Sequence, residues 1–232
     1  MFPLRDDNPS ATTPVVTRAL IVINLVIFVY ELSLGPDLRE FFFRFALIPR
    51  NLTLAVSGSA DWSAALIPLL SSIFLHGGWI HVIGNMWYLW IFGDNIEDQL
   101  GHFGYLVFYL VSGVMAGLLH VFTNPESLLP TVGASGAIAG VLGAYAAAFP
   151  RARVITLLPL FPFFQVVALP ALLVLGFWFV VQFASGALVL AAGASGGVAV
   201  WAHVGGFVFG YVVMAVLRGF RRRDAASFEP GP

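Results

Sequence analysis

The sequence predicts an all-α membrane protein of six transmembrane helices with a long interfacial first loop. Three observations predict it. The 232 residues are 59% hydrophobic and only 10% charged, whereas soluble domains run about 45–50% apolar and about 25% charged. Mean hydropathy is +0.90. Apolar runs close to the ~20 residues that cross about 30 Å of hydrocarbon recur along the chain.

Residues 1–16 read as a polar, mobile lead holding Arg5, Asp6, Asp7 and three prolines. The first span, 17–34, carries Asn24 and Glu31 and lacks a small-residue cleavage site, so it reads as a retained span and not a cleaved signal. Segment 35–79 is too long for a simple connection and too mixed to cross, with Arg39, Arg44, Arg50 and Asp61. It reads as short helices in the interface, where Phe41, Phe42, Phe43 and Phe45 dip into lipid beside Arg39 and Arg44. Further spans are expected at 80–97, 104–122, 135–149, 165–184 and 198–217. The fourth is short, which suits a helix starting partway into the membrane. Residues 17–217 thus form one membrane domain, and 218–232 a short basic tail.

Six spans put both termini on one side. That side holds Arg5, Arg18, Arg151, Arg153, Arg218 and Arg221 to Arg223, against Arg39, Arg44 and Arg50 on the other. The excess predicts cytoplasmic termini. Residues 79–81, 133–135 and 201–203 then fall together near the outer face. Net charge is −1 and the arginines are spread, so a nucleic-acid partner is not expected. With no cysteine, a thiol nucleophile, a disulfide framework and thiolate metal sites are excluded.

Two polar residues stand at the starts of apolar spans. Ser135 lies in Gly133-Ala134-Ser135-Gly136, and His203 in Trp201-Ala202-His203-Val204-Gly205-Gly206. A serine and a histidine are the minimum parts of a nucleophile and its general base. An ionisable side chain is costly in hydrocarbon, which makes an intramembrane histidine a functional candidate. Ser135 in the first turn of a helix would sit among unpaired N–H groups and the positive end of the helix dipole, suited to an oxyanion.

Gly206 and Gly210 follow His203 at i+3 and i+7, on one helical face. Gly136, Gly140, Gly143 and Ala147 make a matching smooth stripe after Ser135. Close packing of those stripes would bring Ser135 to His203. The same small residues also suit plain helix packing.

His81 and Asn85 share a face at i and i+4, with His76 just upstream. An imidazole and an amide pointing together suit an oxyanion hole, or a hydrogen-bonded pair that holds helices. Zinc is not expected, since no HExxH and no nearby carboxylate completes a ligand set. Asp94, Glu97 and Asp98 read as a solvated helix end, and His102 and His120 as interface or loop residues. Gly193-Ala194-Ser195-Gly196 repeats the Ser135 tetrapeptide. On a shared helix Ser195 would lie about 12 Å along the axis from His203, too far for proton transfer.

Together, His76 with His81 and Asn85, the Gly133–Gly136 tetrapeptide opening a span, and Ala202-His203 followed by Gly206 and Gly210 resemble the rhomboid intramembrane serine proteases, in their basic six-span bacterial form. The resemblance implies a rhomboid-like bundle and a Ser135–His203 dyad without an acid or cofactor. It also implies oxyanion stabilisation by His81, Asn85 and backbone N–H groups near Ala134 and Ser135, with Gly133 permitting a tight approach. Substrates would be transmembrane proteins cut within the bilayer, with residues 185–200 and the fifth span as gate, and the minimal architecture suggests a bacterial plasma membrane. One departure is Ala139, one turn after Ser135, where the family often has an aromatic that stacks on the base. Oligomeric state is not readable. A non-catalytic scaffold that binds membrane clients is the alternative, and a small transporter a third reading, weakened by the lack of a buried carboxylate or a broken-helix pair.

Overall fold

The computed structural model describes residues 1–160, 163–191 and 199–227. Helix α1 (Val15–Ser33) follows the N-terminal segment. Segment 35–79 folds as expected into short helices: a 3₁₀ turn at Gly35–Asp37, then α2 (Leu38–Phe45), α3 (Pro49–Val56), α4 (Ser63–Ser71) and a second 3₁₀ turn at Ser72–Phe74. On α2 the guanidinium groups of Arg39 and Arg44 sit over the rings of Phe43 and Phe45, at 5.7 and 5.4 Å. Such pairs let the cations lie beside apolar rings at an interface.

Helix α5 (Trp79–Thr123) is a 45-residue run interrupted at Gly101, whose φ of 69° and ψ of 162° break the helix. That left-handed φ is one glycine adopts without a Cβ clash. The break separates residues 79–100 from 102–123, close to the second and third expected spans. Helix α6 (Ser135–Ala148) is the buried centre, with every residue except Ser135 and Ala147 inside. Helices α7 (Ala171–Ala191) and α8 (Val200–Ser227) complete the bundle. Among the described residues, α1, α5, α7 and α8 are long and apolar enough to cross a membrane, while α6 is a shorter apolar helix.

Packing follows the glycines. A Cβ on Gly206 would overlap the carbonyl of Gly136, and one on Gly210 the carbonyl of Gly140. Helices α6 and α8 therefore meet backbone to backbone, as the two stripes predict. The main core is built on α6, whose Leu142 and Tyr145 join Phe92, Tyr105, Tyr109 and Met214. A smaller cluster of Leu47, Leu52, Ala55, Ala65, Leu69 and Val121 lies under the interfacial helices.

Four expectations need correction. The chain is not purely helical: β1 (Phe2–Asp6), β2 (Arg153–Leu160) and β3 (Phe163–Pro170) form an antiparallel sheet in the order β1-β2-β3. The fifth helix begins at Ala171, not at 165. Pro159 and Pro170 explain both, because proline and the residue before it resist the helix interior, and FFQVVAL ahead of Pro170 is β-branched and aromatic.

The polar lead is also tied down. Pro3 O accepts from Trp87 Nε1 at 2.7 Å, Asn8 O from Asn95 Nδ2 at 2.9 Å, and Asp6 accepts from the Tyr145 hydroxyl at 2.5 Å.

Glu97 is no solvated helix end. It is 1% exposed and accepts from Val16 N, Thr17 N and Thr17 Oγ1 at 2.8–2.9 Å. Pro14 offers no side-chain cap to α1, so the Glu97 carboxylate from another helix takes that place. His102 Nδ1 completes its shell at 2.6 Å.

Candidate functional site

Ser135 begins α6 because Pro130 and the extended Thr131–Gly133 stretch hold the chain out of the helix until then. That stretch is clamped by the interfacial helices. Leu47 and Thr131 exchange backbone hydrogen bonds at 3.0 and 2.8 Å, and Gly133 N donates to Ser72 O at 2.9 Å. Gly133 has φ of +131°, and a Cβ there would lie 2.7 Å from Cε1 and Nε2 of His81. Only glycine meets both demands. Ala134 precedes Ser135 at the cap without any side-chain hydrogen bond, which leaves the first amides of α6 without a side-chain acceptor.

The packed glycine stripes set the central contact. Ser135 Oγ lies 2.7 Å from Nε2 of His203, across 68 residues of sequence. His203 is 8% exposed, and its Nδ1 faces Oε1 of Gln182 on α7 at 2.9 Å. The Trp178 ring lies 5.8 Å from the imidazole, tilted by 38°. Ala139, fully buried, presents only a methyl group.

On α5, Asn85 Nδ2 donates to His76 Nε2 at 3.0 Å. The His76 ring packs edge-on to His81, 5.1 Å between centroids. Burial, reinforced by neighbouring His81, pulls the His76 pKa down to about 4, so it is neutral at pH 7 and its Nε2 accepts. Backbone N of His76 donates in turn to the buried Glu31 carboxylate, at 3.1 and 3.3 Å.

The polar groups Asn85, Ser135 and His203 border one open cavity of about 1080 Å³, whose walls also include Trp79, His81 and Trp201. The three segments that the span count places at the outer face do converge. The cavity also has walls that the sequence reading passed over. His120 borders it, with Nε2 3.0 Å from Thr131 Oγ1. Gln182 and Trp178 border it too. The one signal for Gln182 was an amide within an otherwise apolar run; nothing local marked Trp178. Ser195, with the rest of residues 192–198 in the expected gate loop, lies outside the described residues.

The model of the rhomboid domain family matches residues 63–220. Relatives include presenilin-associated rhomboid-like protein A, mitochondrial, of Danio rerio, 38% identical over 112 residues, which is 47% of this chain and 29% of that protein. RHOMBOID-like protein 6, mitochondrial, of Arabidopsis thaliana is 35% identical over 101 residues, 41% of the chain and 32% of the relative. Rhomboid-like protein 11, chloroplastic, from the same plant is 31% identical over 118 residues, 51% and 40%. The matched stretch thus spans well under half of each relative. Their names are organellar, which runs against the expectation of a bacterial source.

Proposed function

The chain belongs to the rhomboid family, and from that premise we propose that it is an intramembrane serine endopeptidase, with Ser135 as nucleophile and His203 as general base. The observation that carries this reading is the 2.7 Å approach of Ser135 Oγ to His203 Nε2 beside a cavity. A scaffold for membrane clients needs neither that contact nor room for water.

In the proposed reaction the Ser135 hydroxyl gives its proton to His203 Nε2 as Oγ bonds to the scissile carbonyl carbon. Negative charge gathers on the carbonyl oxygen. The amides opening α6, His81 and Asn85 would hold it. Asn85 Nδ2 has two hydrogens, and His76 takes one; the second is left for the oxyanion. The C–N bond then breaks as the imidazolium protonates the leaving amine. Water from the cavity loses a proton to His203, attacks the acyl-serine and releases the new carboxylate; the proton returns to Ser135.

Six crossings complete the reading, counting α5 twice across Gly101 and including α6. The arginine-rich side, holding both termini, would be cytoplasmic or its equivalent, and substrates would be transmembrane proteins reached from the opposite side. The test is cleavage of a single-span reporter in reconstituted vesicles, paired with fluorophosphonate labelling. Wild type should cut and label at Ser135; Ser135→Ala should do neither, while Ser195→Ala cuts normally. Cutting by Ser135→Ala at the wild-type rate would end this assignment, and a wild-type chain that never labels would favour the scaffold.

A further inference from the structure

Helix α6 offers nothing to hold the base: Ala139, one turn beyond Ser135, is a buried methyl. Helix α7 offers two groups instead. Trp178 and Gln182 are i and i+4, on one face of α7, and that face meets His203. We propose that Gln182 is the positioning residue that sets the tautomer of the general base, with Trp178 walling the imidazole on that side. This rests on the reading of Ser135 and His203 given above.

An amide oxygen only accepts. With Gln182 Oε1 2.9 Å from Nδ1, the imidazole proton resides on Nδ1 and Nε2 is left bare. A bare Nε2 is what must face Ser135 Oγ, 2.7 Å away, to take its proton. Without the amide, the neutral ring is free to carry its proton on Nε2, where it cannot act as base.

The same bond stabilises the imidazolium that forms during reaction. It also ties catalysis to the seat of α7. That helix touches the bundle through Val174, Leu175, Trp178, Phe179 and Gln182, while Leu172, Leu173, Phe177, Val180, Val181 and Phe183 face outward. Outward displacement of α7 would withdraw the acceptor from the base.

The test compares full-length wild type, Gln182→Met and Gln182→Glu in vesicles, measuring kcat and KM on a single-span reporter from pH 5 to 9, with Ser135 labelling. Methionine keeps the bulk and removes the acceptor; glutamate keeps the acceptor and adds charge. Gln182→Met should lower kcat about 10- to 100-fold with KM little changed. Gln182→Glu should recover most of that loss and move the acid limb of kcat/KM upward by about one pH unit, since a carboxylate favours imidazolium. Wild-type kcat in Gln182→Met, or a Gln182→Glu enzyme as slow as Gln182→Met with an unmoved limb, overturns the assignment. If Gln182→Met fails to fold, the acid limb of Gln182→Glu decides: moved supports, unmoved overturns. A wild-type chain that neither cuts nor labels overturns the dyad itself and this inference with it.

Discussion

The two ends of the bundle spend their polar groups in opposite ways. At the end away from Ser135, carboxylates are engaged by protein donors, with Glu97 buried and Asp98 at the surface. Glu97 accepts from three groups of the α1 terminus and contacts His102. Asp98 accepts from Ala11 N, Thr12 N and Thr12 Oγ1. Arg218 reaches the Ala147 carbonyl at the far end of α6. At the Ser135 end, the opening turn of α6 has no side-chain cap, and His81, Asn85, Ser135 and His203 border an open cavity. A polar group whose capacity is used up inside the protein holds structure; one with capacity left over, facing a cavity, is available for a ligand. The difference separates the structural polar residues from the candidate functional ones without reference to sequence motifs.

The harshest way to break that contrast acts on both ends at once. Gly206→Val drives a side chain into the Gly136 carbonyl, so α6 and α8 separate. Loss of about 3 kcal/mol or more is expected, seen as collapse of thermal stability in detergent together with Ser135 labelling. Next comes Glu97→Ala, which strands the Val16, Thr17 and Thr17 Oγ1 donors. It should cost about 2–4 kcal/mol yet leave labelling per folded molecule unchanged.

Asn85→Ala is the mirror case. Rate should fall on the order of 10²-fold as an oxyanion donor is lost, with a much smaller change in melting than Glu97→Ala gives. A melting loss from Asn85→Ala as large as that from Glu97→Ala would erase the distinction between the ends.

The smallest effect is one of pH. Desolvation raises the Asp6 pKa from 3.8 to about 6, against the lowering influence of the Tyr145 hydroxyl. The docked strand therefore holds the Asp6 proton more tightly than the free strand does. Docking of β1 is strongest below about pH 4, weakens as pH rises to about 6, and is level above that. Hydrogen exchange of residues 2–6 should speed up across this window beyond its intrinsic pH dependence, and Asp6→Asn should flatten that excess.

Much of the site was legible because its signals are local or periodic. Ser135 and His203 stood out as polar residues in apolar runs, and the glycine spacing on 136–143 and 206–210 announced a close helix contact. Glu97 was misread because a carboxylate at a helix end looks solvated until the partner that covers it is known, and that partner is α1, eighty residues earlier. Gln182 was missed, and His120 was set aside as an interface or loop residue, because a single amide or imidazole has no period.

Composition and helical period alone settled that this chain lives in a membrane, which faces of 136–147 and 203–210 are smooth, and where its functional serine and histidine candidates lie. These properties follow from each residue and its neighbours within two turns. Only the tertiary structure decided that 153–160 and 163–170 form a sheet that captures the N-terminal strand, that Glu97 caps α1, and that α7 supplies the acceptor behind His203. Those contacts join segments far apart in the chain, and their geometry exists only once the helices have packed.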